Sequence, residues 1–321
     1  MKRETHNNFK KPPLFSSLLG AATPAKASGM AYTLASLIPA VLGFVFVFFV
    51  AVLSGVNEDV TKKDWYLYCS YLLSPLAFLL VVAWFLRYTR TPVKKAVLAQ
   101  KCHWKYFLLA IFLQIGLLSL SELNSLFLEF LKRFGYTDPG ISLPSMDGIG
   151  FVGVFLTVAI LPALMEEIIF RGVLLQGLRS FGTVGATLIC GALFSLYHQN
   201  PAQTLYQFCC GAAFALVAIR SGSILPSVLA HFINNGAILI LVKLGVESYP
   251  TPVFIAIIII SVLSLIGSLL WLLFKEQSGA DSLMESREEN KSSERKRFFG
   301  CAAVGIAVCA LTWIAMLFSG I

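Results

Sequence analysis

The sequence predicts an all-α protein, a polytopic transmembrane helix bundle with eight or nine spans. Three observations predict it. Of 321 residues, 57% are apolar and only 13% charged, whereas soluble domains run near 45–50% and about 25%. The apolar residues gather in uninterrupted runs long enough to cross about 30 Å of hydrocarbon. The charges lie between those runs, so the net charge of +8 is spread along the chain rather than gathered into one basic patch, and no nucleic-acid partner is expected. Intrinsic disorder, a disulfide scaffold and a secreted soluble enzyme are excluded on the same grounds. All cysteines but Cys102 fall inside apolar runs and none forms a CxxC, so they read as small packing residues.

Taken in order, residues 1–30 are a basic N-terminal segment, and the run that follows is too long for a cleavable signal, so it reads as a permanent anchor. Residues 31–150 hold the N-terminal transmembrane helices, with apolar runs near 31–55, 65–86 and 106–131. Residues 151–243 form a second group, with runs at 151–178, 183–199, 203–220 and 223–243; the two middle runs are short and meet at a turn around Asn200-Pro201. An additional span lies in 244–274, a charged linker in 275–298, and a last transmembrane helix in 299–321. With nine spans and the N-terminus inside, the cytoplasmic face collects Lys2, Arg3, Lys10, Lys11 and Lys26, the bases from Arg87 to Lys105, then Arg179, Arg220 and the bases of the linker. The opposite face keeps only Lys62, Lys63, Lys132, Arg133 and Lys243. The positive-inside rule therefore favours a cytoplasmic N-terminus, and the expected location of this integral membrane protein is the plasma membrane.

A charge at the centre of a span costs roughly 2.5–3.5 kcal/mol on insertion scales, so polar groups inside the runs need reasons. In LPALMEEIIFRG, Glu167 and Arg171 are i, i+4 neighbours with the carboxylate toward the N-terminus, the better orientation for mutual neutralisation. Glu166 points about 100° away around the helix and has only Ile169 and Phe170 one turn on, which leaves its carboxylate for another helix or for water. Pro162, one turn earlier, removes a backbone hydrogen bond and favours a bend there. Phe194 lies one turn below His198 as an apolar support, and His231 and Asn235 share a helix face. At about 1.5 Å per residue, Glu166 lies ~18 Å deep, His198 ~22 Å, His231 ~12 Å and Asn235 ~18 Å, so all four can meet within the membrane. Glu129 pairs in prospect with Lys132 or Arg133 near the membrane edge; Glu122 is a candidate cavity-lining group.

The ordered set Glu-Glu-x-x-x-Arg (Glu166, Glu167, Arg171), Phe-x-x-x-His (Phe194, His198) and His-x-x-x-Asn (His231, Asn235) resembles the signature of the CPBP intramembrane protease family, also called ABI, which includes the type II CAAX prenyl endopeptidases. The likeness covers residues 162–236. It implies an endopeptidase that hydrolyses a peptide bond with activated water rather than a covalent nucleophile: Glu166 as general base, His198 holding and polarising the water, and His231 with Asn235 donating hydrogen bonds to the oxyanion. Glu167, Arg171 and Phe194 are supporting residues on this reading. The implied partners are membrane lipid and a peptide or protein substrate, prenylated or otherwise membrane-associated.

No cofactor is expected. The alternative is zinc, for which Glu166, His198 and His231 are a legitimate ligand set, although HExxH is absent. No Gly-x-Ser-Gly or Gly-x-Gly-Asp occurs, so serine and aspartyl intramembrane proteases lack their reacting groups. Two other classes use similar residues: a non-catalytic membrane protein of the same fold acting in bacteriocin immunity or as a scaffold, and a transporter or proton relay.

Overall fold

The computed structural model describes residues 23–54, 58–138, 140–246, 248–275 and 291–320. Among them, nine helices are long and apolar enough to cross a membrane, and no strand occurs. The protein is an all-α polytopic bundle. The spans are α1 (Pro24–Ser54), α2 (Asp64–Thr89), α3 (Lys105–Lys132), α4 (Ile149–Gly177), α5 (Arg179–Tyr197), α6 (Pro201–Ser221), α7 (Leu225–Lys243), α8 (Thr251–Phe274) and α9 (Lys291–Ser319). Residues 1–22, most of the expected N-terminal segment, lie outside the described residues, as do residues 276–290 of the expected linker. The last helix begins at Lys291, inside the stretch expected to be linker, because KSSERKRFFG consists largely of residues that a helix accommodates at little cost.

Helices α1 and α9 pack side by side and run in the same direction. Thr33 Oγ1 donates to the Cys301 carbonyl at 2.7 Å, Gly305 N–H reaches Thr33 Oγ1 at 3.2 Å, and Cys309 Sγ lies 3.3 Å from Ser36 Oγ. A Cβ on Gly305 would sit 2.7 Å from Thr33 Cα, so the glycine permits the small-residue contact that membrane helices use for close approach. Two helices that run in the same direction with seven spans between them fit an alternating path of nine.

Helix α3 is broken after Leu117 and resumes at Leu120, where the run read as continuous from 106 to 131. The second half is amphipathic, and its Asn124 ties it to the start of α6 by donating to the Ala202 carbonyl at 2.7 Å and accepting from Tyr206 N–H at 3.2 Å. The turn between α5 and α6 falls at the expected Asn200-Pro201. Gln199 adopts a left-handed φ of 53°, and the Asn200 side chain accepts from Ala202 N–H at 2.9 Å.

Helix α4 carries the expected proline. It meets Pro162 by widening: residues Phe155–Ile160 form π-helical turns, and Leu161 N–H bonds back to the Leu156 carbonyl, five residues away. A second widened stretch, Ile168–Leu174, follows the two glutamates. Short π-helical insertions of this kind rotate the phase of the helix and often mark functional positions. The intervening α-helical turn, Leu161–Glu167, presents the adjacent carboxylates to different neighbours. Around it stand α1, whose Ser28 Oγ donates to the Val173 carbonyl at 2.7 Å, together with α2, α5, α6 and α7.

Candidate active site

Glu167 and Arg171 are both fully buried, at 0% side-chain exposure, and Arg171 Nη1 donates to Glu167 Oε1 at 2.6 Å. The guanidinium makes two further contacts. Its Nη2 donates to the Gly211 carbonyl on α6 at 3.0 Å, and its carbon lies 4.4 Å from the Phe194 ring centre and 5.4 Å from that of Phe214, within cation–π range. Gly211 makes this reach possible: a Cβ there would come within 2.9 Å of Gly191 Cα, so α5 and α6 cross with glycine against glycine and leave the carbonyl accessible to Arg171.

The same Glu167 oxygen holds His231, whose Nδ1 lies at 3.0 Å. His198 is held in an analogous way, its Nδ1 2.9 Å from the Phe194 carbonyl. A carbonyl oxygen only accepts, so the His198 proton sits on Nδ1, and the carboxylate paired with Arg171 imposes the same choice on His231. Both rings thus turn Nε2 toward one point. That point is Glu166: its Oε2 lies 3.8 Å from His231 Nε2 and 4.0 Å from His198 Nε2. The Glu166 side chain is 14% exposed and that of His198 19%, and among the described residues Glu166 Oε2 has no hydrogen-bond partner.

The structure therefore brings Glu166, His198 and His231 together from α4, the end of α5 and α7. Phe194 lies where the sequence puts it, its ring centre 4.6 Å from that of His198, and also covers Arg171. Asn235 stands one turn beyond His231, its Nδ2 donating to the Val158 carbonyl on α4 at 3.4 Å. Glu122 is exposed on the outer half of α3, and Glu129 pairs with Lys132 at 2.7 Å at the edge of the same helix.

Three polar residues beside this cluster escaped the sequence reading. Asn234 Oδ1 accepts from Gln114 Nε2 on α3 at 2.8 Å and from the Tyr206 hydroxyl on α6 at 2.7 Å. Gln114 interrupts an otherwise apolar stretch from Phe107 to Leu118, and the demand that a polar group at such depth find a partner would have picked it out with Asn234.

Residues 148–237 match the family model described as Type II CAAX prenyl endopeptidase Rce1-like. This segment is similar to the Rce1-like family. It begins just before α4 and ends within α7, so Glu166, Glu167, Arg171, Phe194, His198, His231 and Asn235 all lie inside it. No curated protein and no solved structure matches the chain.

The distances among these side chains bear on the zinc alternative. Ligand atoms around tetrahedral zinc, with bonds of about 2.0–2.1 Å, stand roughly 3.3 Å apart. Glu166 Oε2 is 3.8 and 4.0 Å from the two imidazole nitrogens, and among the described residues no group of three or more His, Cys, Asp or Glu is arranged to hold a metal. As placed, the carboxylate oxygen stands farther from the two imidazole nitrogens than neighbouring ligand atoms of tetrahedral zinc do.

Proposed function

We propose that the protein is an intramembrane endopeptidase in which Glu166 takes a proton from the attacking water. The observation that supports this most directly is the unpartnered Glu166 oxygen 3.8 and 4.0 Å from two imidazole nitrogens. One water making hydrogen bonds of about 2.8 Å bridges such separations. Held by Glu166 and His198, that water loses a proton to the carboxylate as its oxygen adds to the peptide carbonyl, and Glu166 returns the proton to the leaving nitrogen. His231 and Asn235 donate to the oxyanion, a role in which losing one donor typically costs on the order of 10²–10³-fold.

The tautomer argument gives this scheme a requirement. His231 Nδ1–H is committed to Glu167, so His231 donates through Nε2 only as an imidazolium. The buried Glu167 carboxylate, bonded to Arg171, lies 3.0 Å from that ring nitrogen and is placed to support such a charge. Glu167 is thus a positioning residue for His231 in this scheme, a more specific task than ordering the helix.

The substrate class follows from the depth of the site: a peptide or protein segment already associated with the membrane, prenylated tails being those that the family description names. The proposed location is the plasma membrane with the N-terminus in the cytoplasm. Peptide termini compared between cells with and without the protein identify the bond that is cut, and purified protein in liposomes tests it on the matching peptide and on a farnesylated CAAX peptide. Cleavage by wild type with none by Glu166→Gln or His231→Ala supports the proposal. Unaltered cellular function in both variants indicates a scaffold, and lost solute flux without released peptide indicates a transporter. Stoichiometric zinc that leaves in step with activity would overturn the metal-free scheme.

A further inference from the structure

We infer that Asn234, held by Gln114 and Tyr206, is a positioning residue that fixes which end of the Asn235 carboxamide faces the reaction. This rests on the proposed peptidase reading and extends it to residues outside the signature. An asparagine serves as an oxyanion donor only if its NH₂, not its isosteric oxygen, points at the developing charge, and the two orientations differ by a half-turn of one soft torsion.

The hydrogen-bond chain selects one orientation. Gln114 Nε2 and the Tyr206 hydroxyl both donate to Asn234 Oδ1, at 2.8 and 2.7 Å. With its oxygen doubly engaged, Asn234 directs its Nδ2 at Asn235 Oδ1, 3.1 Å away. The Asn235 oxygen is thereby taken, and its NH₂ faces α4, with one hydrogen toward the Val158 carbonyl at a long 3.4 Å and the second available for an oxyanion. Four helices, α3, α4, α6 and α7, contribute to this chain, and Gln114 and Asn234 are buried. Water does not compete for these groups as it would at a surface; each side chain could reverse its own polarity, but the Val158 carbonyl at the end of the chain only accepts and fixes its direction. A purely structural polar cluster would have no need to end on the residue next to a catalytic histidine turn.

The test is a double-mutant cycle on purified protein in liposomes, with the peptide identified from cellular termini and the farnesylated CAAX peptide as probes. Asn235→Ala is expected to lower kcat about 10²–10³-fold, and Asn234→Ala about 10–100-fold with KM changed less than threefold. The double variant is expected to be no slower than Asn235→Ala alone, because Asn234 acts only through Asn235. Tyr206→Phe and Gln114→Leu, which leave Asn234 in place with one donor each, are expected to fall between wild type and Asn234→Ala. Losses that multiply in the double variant, or a rise in KM without a fall in kcat, would overturn the inference while leaving the peptidase reading intact. Glu166→Gln, run beside them, separates the two: if it cleaves like wild type, or if wild type cleaves neither probe, the peptidase reading fails and this inference with it. Gel filtration and thermal unfolding in detergent show which variants remain folded, and a Tyr206→Phe that is folded and fully active alongside a Gln114→Leu that is folded and fully active also overturns it.

Discussion

Glu166 and Glu167 are adjacent in sequence and both face the His231 ring, yet their burial and their partners differ. Glu167 is sealed from outside, bonded to Arg171 at 2.6 Å and to His231 at 3.0 Å through one oxygen. Glu166 is part-exposed, and its Oε2 has no hydrogen-bond partner among the described residues, with two imidazole nitrogens at 3.8 and 4.0 Å. A helix that turns about 100° per residue and widens on both sides of this pair is enough to separate them. The comparison teaches that a sealed carboxylate with partners organises a site, and a part-exposed one without them is left for something else. It predicts opposite phenotypes for substitutions one residue apart.

The largest effect is expected at Glu166. Glu166→Gln keeps the shape and removes the proposed base, so cleavage should fall at least about 10³-fold, while the unfolding temperature in detergent stays the same or rises because a poorly paired charge has gone. A variant that cleaves normally, or one that fails to fold, would erase the distinction between the two glutamates.

Next is Arg171. Arg171→Met removes the charge that neutralises Glu167 and the groups that reach Gly211, Phe194 and Phe214. Leaving a buried charge unpaired costs roughly 3–5 kcal/mol. Replacing both partners, in Glu167→Gln with Arg171→Met, should recover part of that loss in thermal unfolding. A double variant less stable than the single would show that the pair is not the organising element.

Glu167→Gln sharpens the comparison further. The amide still bonds to Arg171 or to His231, but it no longer supports an imidazolium and no longer dictates which His231 nitrogen is protonated. A drop on the order of 10²-fold in kcat, with the protein folded and KM little altered, is expected from the behaviour of histidine-orienting carboxylates elsewhere. Equal losses in kcat and in folded yield would instead assign Glu167 to stability alone.

How much of this was legible in advance depends on how far each residue's partner lies along the chain. The spans follow from apolar length, and the Glu167–Arg171 pair from i, i+4 spacing, because both are local. That Glu166 is the carboxylate left over also follows from helix phase. The contact of His231 Nδ1 with Glu167 does not: two spans, α5 and α6, lie between them, and spacing within α7 says only that His231 and Asn235 share a face. The widening of α4 just before Pro162 was not foreseen beside the bend that proline suggests, since a chain can satisfy its carbonyls with longer-range bonds as well as by kinking. The break in α3 at Leu118-Ser119 was hidden by unbroken hydropathy, and the change there is one of amphipathicity: Leu120–Lys132 has a polar face that Lys105–Leu117 lacks.

The smallest effect is expected where the same chemistry lies at the edge. Glu129 and Lys132 form an ion pair at 2.7 Å, nearly as short as that of Glu167 with Arg171, but their side chains are 65% and 50% exposed. Exposed pairs of this kind contribute about 0–1 kcal/mol, since the attraction is screened and two long side chains lose freedom to make it. Glu129→Gln should therefore move the unfolding temperature hardly at all and leave cleavage at the wild-type rate. A large loss from Glu129→Gln would mean that the outer half of α3 takes part in the reaction, and that burial is not what distinguishes the two ion pairs. Distance alone does not rank them; what ranks them is whether the surroundings offer either charge another partner.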